Sequence, residues 1–200
     1  IWDRGFAGSP WTSLALDHHL RFILRWNKGY HLIGPDGRKH EVWKIARGKR
    51  SWEHRMIWNA RRRCQRKTGV IALPVHLPED QRQLFLVVSR PGYGRKPWYL
   101  ITTEPIENAE QAWQIIFAYA KRWQIEEFHR VLKTGCRVEA RQMRSLERLK
   151  PMMALDMLVA CRIMGMSAGA RQSPQDPASD WLDEDEISAL EAYESEGKKP

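Results

Sequence analysis

The stretch Tyr119-Ala120-Lys121-Arg122-Trp123-Gln124-Ile125-Glu126-Glu127-Phe128-His129-Arg130-Val131-Leu132-Lys133-Thr134-Gly135 decides how this chain is read. Glu107 and Asn108 supply a helix start ahead of it and Gly135 a stop, so the pattern predicts one long helix through about residue 134. At about 100° per residue, Arg122, Glu126 and Lys133 fall roughly 60°, 20° and 40° from Tyr119, on the same side. That stripe presents a carboxylate flanked by two cations and a phenol. Trp113, Phe117, Ile125, Phe128 and Leu132 fall opposite, which predicts an apolar wall behind a polar stripe. Spacing alone favours an ordinary solvated face, with Arg122 and Glu126 as a weak i,i+4 pair.

Upstream, residues 70–77, 84–88 and 98–102 are β-branched or aromatic runs separated by Pro78-Glu79-Asp80 and Pro91-Gly92-Tyr93-Gly94. They predict an antiparallel, β-rich insertion. Residues 27–67 read as turns and charge, with twelve Lys or Arg against two Glu between Arg38 and Lys67. At the start, Ile1-Trp2 reads as the end of a strand, Trp11 to Leu20 as a helix and Arg21 to Trp26 as a strand. Downstream, a second helix is predicted from Ser145 to Met164. A Ser-, Pro- and acid-rich linker follows, and then a short helix opened by Asp183 and Glu186 as a capping box. The predicted divisions are 1–26, 27–102, 103–165 and 166–200.

The chain has 200 residues, 42% hydrophobic and 28% charged, which fits one folded domain with room for an insertion. No uninterrupted apolar run approaches the ~20 residues that span a bilayer, so no membrane partner is expected. Cys64, Cys136 and Cys161 have neither CxxC spacing nor finger-like histidine partners, which argues against a zinc site or disulfide framework. The net charge is +9. From Ser173 onward nine acids face two lysines, so the first 172 residues carry 31 basic and 15 acidic groups, a balance that calls for a polyanion.

The segment from Tyr119 to Gly135 resembles the Y-x2-R-x3-E-x6-K signature of bacterial insertion-sequence DDE transposases. Trp123-Gln124-Ile125-Glu126-Glu127-Phe128-His129, Lys133-Thr134-Gly135 and Glu139 are similar to that family, as is the run Trp98 to Pro105 ahead of the helix. Asp3-Arg4-Gly5-Phe6 resembles the family's second catalytic aspartate. The resemblance covers residues 1 to about 165 and implies an α/β, RNase H-like catalytic core of the retroviral integrase superfamily, interrupted by the basic β-rich insertion. It implies Asp3 and Glu126 as catalytic, metal-ligating acids for a two-metal Mg²⁺ site in which Mn²⁺ substitutes. Two hard cations about 4 Å apart need oxygen ligands and serve in-line phosphoryl displacement.

The resemblance further gives Tyr119, Arg122 and Lys133 the phosphates of the transposon end, and Trp98 the space left by a flipped base. A core-packed strand tryptophan is the plainer reading of Trp98. The family's first aspartate belongs on an earlier strand, so the chain reads as a fragment with N-terminal strands missing, inactive alone. The implied function is DNA cleavage and strand transfer at transposon ends, with double-stranded DNA as partner, a homodimer at full length and a cytoplasmic, nucleoid-associated location. The alternative is a non-catalytic DNA-binding remnant of a transposase.

The basic run Arg47 to Arg50 with Arg61, Arg62, Arg63, Arg66 and Lys67 predicts a DNA-backbone patch, because such charge repels itself unless phosphates neutralise it. Glu126-x-x-His129 has the spacing of a di-iron ligand pair but lacks the partner copy that such a site needs. His18, His19 and His76 have no ligand-spaced partner.

Overall fold

Trp2 forms a parallel bridge with Leu24, and helix α1 (Ser9–Asp17) connects the two in a strand–helix–strand unit. This computed structural model describes residues 1–59, 64–92 and 96–195. By internal contacts the chain divides into two units, Ile1–Arg122 and Trp123–Pro200.

The first unit is a mixed fold built on a seven-stranded sheet. Strands β1 (Ile23–Arg25), β2 (His31–Ile33), β3 (Lys39–Glu41), β4 (Glu53–Asn59), β5 (Cys64–Leu77), β6 (Asp80–Pro91) and β7 (Trp98–Thr102) run in the order β1-β7-β6-β5-β2-β3, with β4 also on β5. All these strand pairs are antiparallel. Side chains alternate across the sheet. Leu84, Leu86, Val88, Ile71 and Ile101 face a core shared with Ala15, Leu16 and with Val42 and Ile45 of α2 (Val42–Ala46). Val70, Ala72, Val87 and Leu100 face the opposite core, filled by Trp113, Ile116 and Tyr119 of α3 (Ala109–Ala120).

The predicted strands at 70–77, 84–88 and 98–102 are present, and β5 and β6 are longer than predicted. Residues 27–59 correct the reading of turns and charge, because β2, β3, α2 and β4 lie there. In β2 only Leu32 is fully buried, and β4 alternates partly buried Glu53, Arg55 and Ile57 with exposed His54 and Met56. Charged side chains fill the positions where an apolar alternation would have marked a strand.

The predicted long helix is also corrected. Asn108 does cap α3, its side chain accepting from the Gln111 N–H at 2.9 Å. A 3₁₀ turn, Lys121–Trp123, ends that helix, α4 (Gln124–Arg130) follows, and a π turn spans Val131–Gly135. The i→i−3 bonding of the 3₁₀ turn steps about 120° per residue, so one 100° stripe cannot run through it. The wall is incomplete too: Phe117 and Ile125 are exposed. Gly135 has an ordinary φ, and Arg137 is the left-handed residue, at φ 52°.

In the second unit, α5 (Leu146–Gln172) runs eight residues past the predicted end at Met164, because Met166 to Gln172 includes no helix breaker stronger than glycine. Among the described residues it is the one helix long and apolar enough, by length and composition, to cross a membrane. Its Asp156 is nonetheless buried and held bidentate by Arg141, at 2.6 and 2.7 Å. Val131, Leu132 and Ala160 form a small core with Phe128 and Ile163. The predicted capping box is present at α6 (Glu184–Ser195): the Asp183 carboxylate accepts from Glu186 N–H at 2.8 Å, and that of Glu186 from Asp183 N–H at 3.0 Å.

Candidate functional site

Asp3 follows directly on the parallel bridge at Trp2, at the carboxyl end of its strand, where α/β sheets commonly place functional groups. One of its carboxylate oxygens accepts from the Arg4 N–H at 2.5 Å, and the other lies 3.8 Å from the Arg122 guanidinium. The Asp3 side chain is 49% exposed and that of Arg122 20%. The Arg122 guanidinium sits 6.0 Å from the centroid of the Tyr119 ring, and Tyr119 packs edge-on against Trp98 at 5.2 Å. Four residues spread from position 3 to 122 thus form one continuous cluster in the first unit.

Arg25 completes the cluster, its guanidinium 5.7 Å from the Trp98 ring. Sequence reasoning missed it. The available signal was its place at the end of the strand that follows the helix, which pairs Arg25 with Leu100 two residues from Trp98.

Tyr119 departs from the expected exposed stripe. It is 3% exposed, and its hydroxyl is buried with no hydrogen-bond partner among the described residues. The residue faces the sheet because α3 uses that side to cover Val87 and Leu100. A buried phenol without a partner costs stability.

Glu126 and Lys133 belong to the second unit. Glu126 is exposed in the first turn of α4. Lys133 lies in the π turn, a helix irregularity frequent at functional sites, and its ammonium is 2.7 Å from Glu139. That hydrogen bond, with the carboxylate's charge, raises the Lys133 pKa above its ordinary value.

The basic run divides. Arg61, Arg62 and Arg63 lie outside the described residues. Arg66 stands opposite Ile57 and Lys67 opposite Met56, so these neighbours point to opposite faces of the β4–β5 ladder. Arg66 reaches toward the Gly92 carbonyl at 3.5 Å. The two do not line one track.

As ligands for a hard divalent cation, Asp3 and Glu126 have the fitting chemistry, since carboxylate oxygens are what such ions bind. The number falls short: among the described residues no cluster of three or more Asp, Glu, His or Cys side chains could hold a metal ion. In comparison with known families, a model of the transposase DDE domain matches residues 1–161.

Proposed function

Because the chain belongs to the transposase DDE domain family, we propose that it cleaves DNA at transposon ends and joins those ends to a target, in a cytoplasmic, nucleoid-associated setting and as a homodimer at full length. Residues 1–26 and 103–165 are read as an RNase H-like core, 27–102 as its insertion and 166–200 as an acidic linker with a further helix. The observation that carries the reading is the convergence of Asp3, Arg122, Tyr119 and Trp98 on one cluster.

Asp3 and Glu126 would hold Mg²⁺, or Mn²⁺ in its place, which when bound activates a water or 3′-hydroxyl for in-line attack on phosphorus. The protein's own part is to grip and orient the DNA. Arg122 offers a planar fork to phosphate oxygens, and without DNA the Asp3 carboxylate occupies part of its field. An incoming phosphate oxygen would give the buried Tyr119 hydroxyl the partner it lacks. Lys133 would exchange Glu139 for phosphate as a mobile point charge. Trp98, flanked by the Arg25 guanidinium and the edge-on ring of Tyr119, is an aromatic surface suited to the gap of an extruded base.

A second reading, a basic DNA-binding protein without catalysis, is favoured by finding no group of three or more ligating side chains among the described residues. The test uses the protein expressed from its complete reading frame. Glu126→Gln should abolish Mg²⁺-dependent strand cleavage and leave end binding intact or tighter, because it removes a ligand and a charge that repels phosphate. Cleavage at the wild-type rate would overturn the assignment of Glu126. The 200-residue chain itself should bind duplex without cutting it. Metal-dependent nicking by that chain, abolished by Asp3→Ala, would refute the need for a further carboxylate.

A further inference from the structure

Trp43 on α2 gathers three cations around one indole. The Lys28 ammonium lies 5.3 Å from the ring centroid, the Lys44 ammonium 5.6 Å and the Arg47 guanidinium 5.7 Å. Glu41 pairs with Lys44 at 2.8 Å, and that hydrogen bond holds the Glu41 carboxyl below its ordinary range. Among the described residues no carboxylate pairs with Lys28 or Arg47.

Elsewhere in the first unit several exposed or partly exposed arginines are neutralised. Arg21 is held by Glu104, Arg55 by Glu53 and Glu110, and Arg82 by Asp17 and Asp80. The cluster at Trp43 is a local excess of positive charge, held together by attraction to the ring face. Its support is rigid: Arg90 on β6 donates to the Ala46 and Lys49 carbonyls and fixes the end of α2.

We infer that the Lys28–Trp43–Lys44–Arg47 surface binds the sugar-phosphate backbone of duplex DNA, at a place separate from the Asp3–Arg122 cluster. The inference rests on the transposase reading for its choice of polyanion. The indole organises the cations at fixed spacing, which lowers the entropy lost when they meet phosphates. Ammonium and guanidinium groups take the ring face where a base would stack, which favours a duplex backbone over a single strand. Contacts of this kind position DNA without reading its sequence.

The test is a pair of salt titrations by fluorescence anisotropy on a labelled random-sequence duplex and on one of its strands. Each phosphate contact contributes about 0.9 to the slope of log K against log salt, so K28Q/R47Q should flatten the duplex slope by roughly 2. The control R21Q/R82Q removes the same charge from paired sites and should leave the slope unchanged. Trp43→Leu should weaken binding several-fold while keeping the slope, and Trp43→Phe should restore it. An unchanged slope in K28Q/R47Q, an equal loss in the control, or a loss confined to the single strand would overturn the inference and leave the transposase reading standing. Absence of duplex binding by the wild-type chain would overturn both.

Discussion

Arg141→Met tests whether the second unit depends on the Arg141–Asp156 pair. Asp156 sits on α5 with its side chain 6% exposed, and both its oxygens accept from Arg141 at 2.6 and 2.7 Å. Methionine keeps the aliphatic reach of the arginine stem and removes the charge, leaving a carboxylate buried without its cation. Breaking a buried pair in this way costs about 3–5 kcal/mol. Arg141 is itself 32% exposed, so water screens part of the loss and the lower end, about 3 kcal/mol, is expected. Hydrogen exchange read on peptides from α5 should then lose protection by about 100-fold. The double variant R141M/D156L replaces both partners by apolar groups and should return to within about 1 kcal/mol of wild type, a coupling of about 2 kcal/mol or more. A single-variant cost below about 1 kcal/mol, or strict additivity in the cycle, would refute the claim that the pair is desolvated and coupled.

Tyr119→Phe removes a buried hydroxyl that has no partner among the described residues. The unliganded protein should gain up to about 1–3 kcal/mol in chemical denaturation, while affinity for duplex should fall. A stability loss with unchanged affinity would make the hydroxyl structural. The turn at Asp36 predicts a pH dependence. His40, with the Arg38 N–H, holds the Asp36 carboxyl below its ordinary value. A group depressed in the folded state lends stability above its unfolded pKa, near 4, and loses it as pH falls through the folded value. Acid unfolding of Asp36→Asn should therefore be less steep than that of wild type below about pH 4, and identical curves would reject this linkage.

Much of the fold was legible where one physical signal dominated. Apolar runs punctuated by proline and glycine marked β5 to β7, Asn108 marked the start of α3, and Asp183 with Glu186 marked α6. The signal failed where tertiary partners supply what the residues themselves lack. Arg55 lies in a strand because Glu53 and Glu110 neutralise it and the Trp113 ring lies 5.4 Å beneath, none of which shows locally. The break at Lys121–Trp123 carries no proline or glycine, so helical periodicity ran through it. For the candidate site, family likeness selected Asp3, Trp98, Tyr119 and Arg122, and the fold brings those four together. It could not say that Tyr119 would be buried, because burial depends on which side of α3 meets the sheet.

The pairing of β1 with β7 joins parts of the chain far apart in sequence. Thr102 donates to the Phe22 carbonyl at 2.7 Å across 80 positions of sequence, and Ile23 pairs with Thr102 in the same ladder. Closing so long a loop is entropically costly until the chain between has shortened the distance. The β5–β6 hairpin, local in sequence, can do so, and β7 then docks on β6 and presents an edge to β1. Removing residues 27–102 would take β7 with it and leave that edge of β1 open, and a nascent chain cannot complete this sheet until Thr102 has left the ribosome.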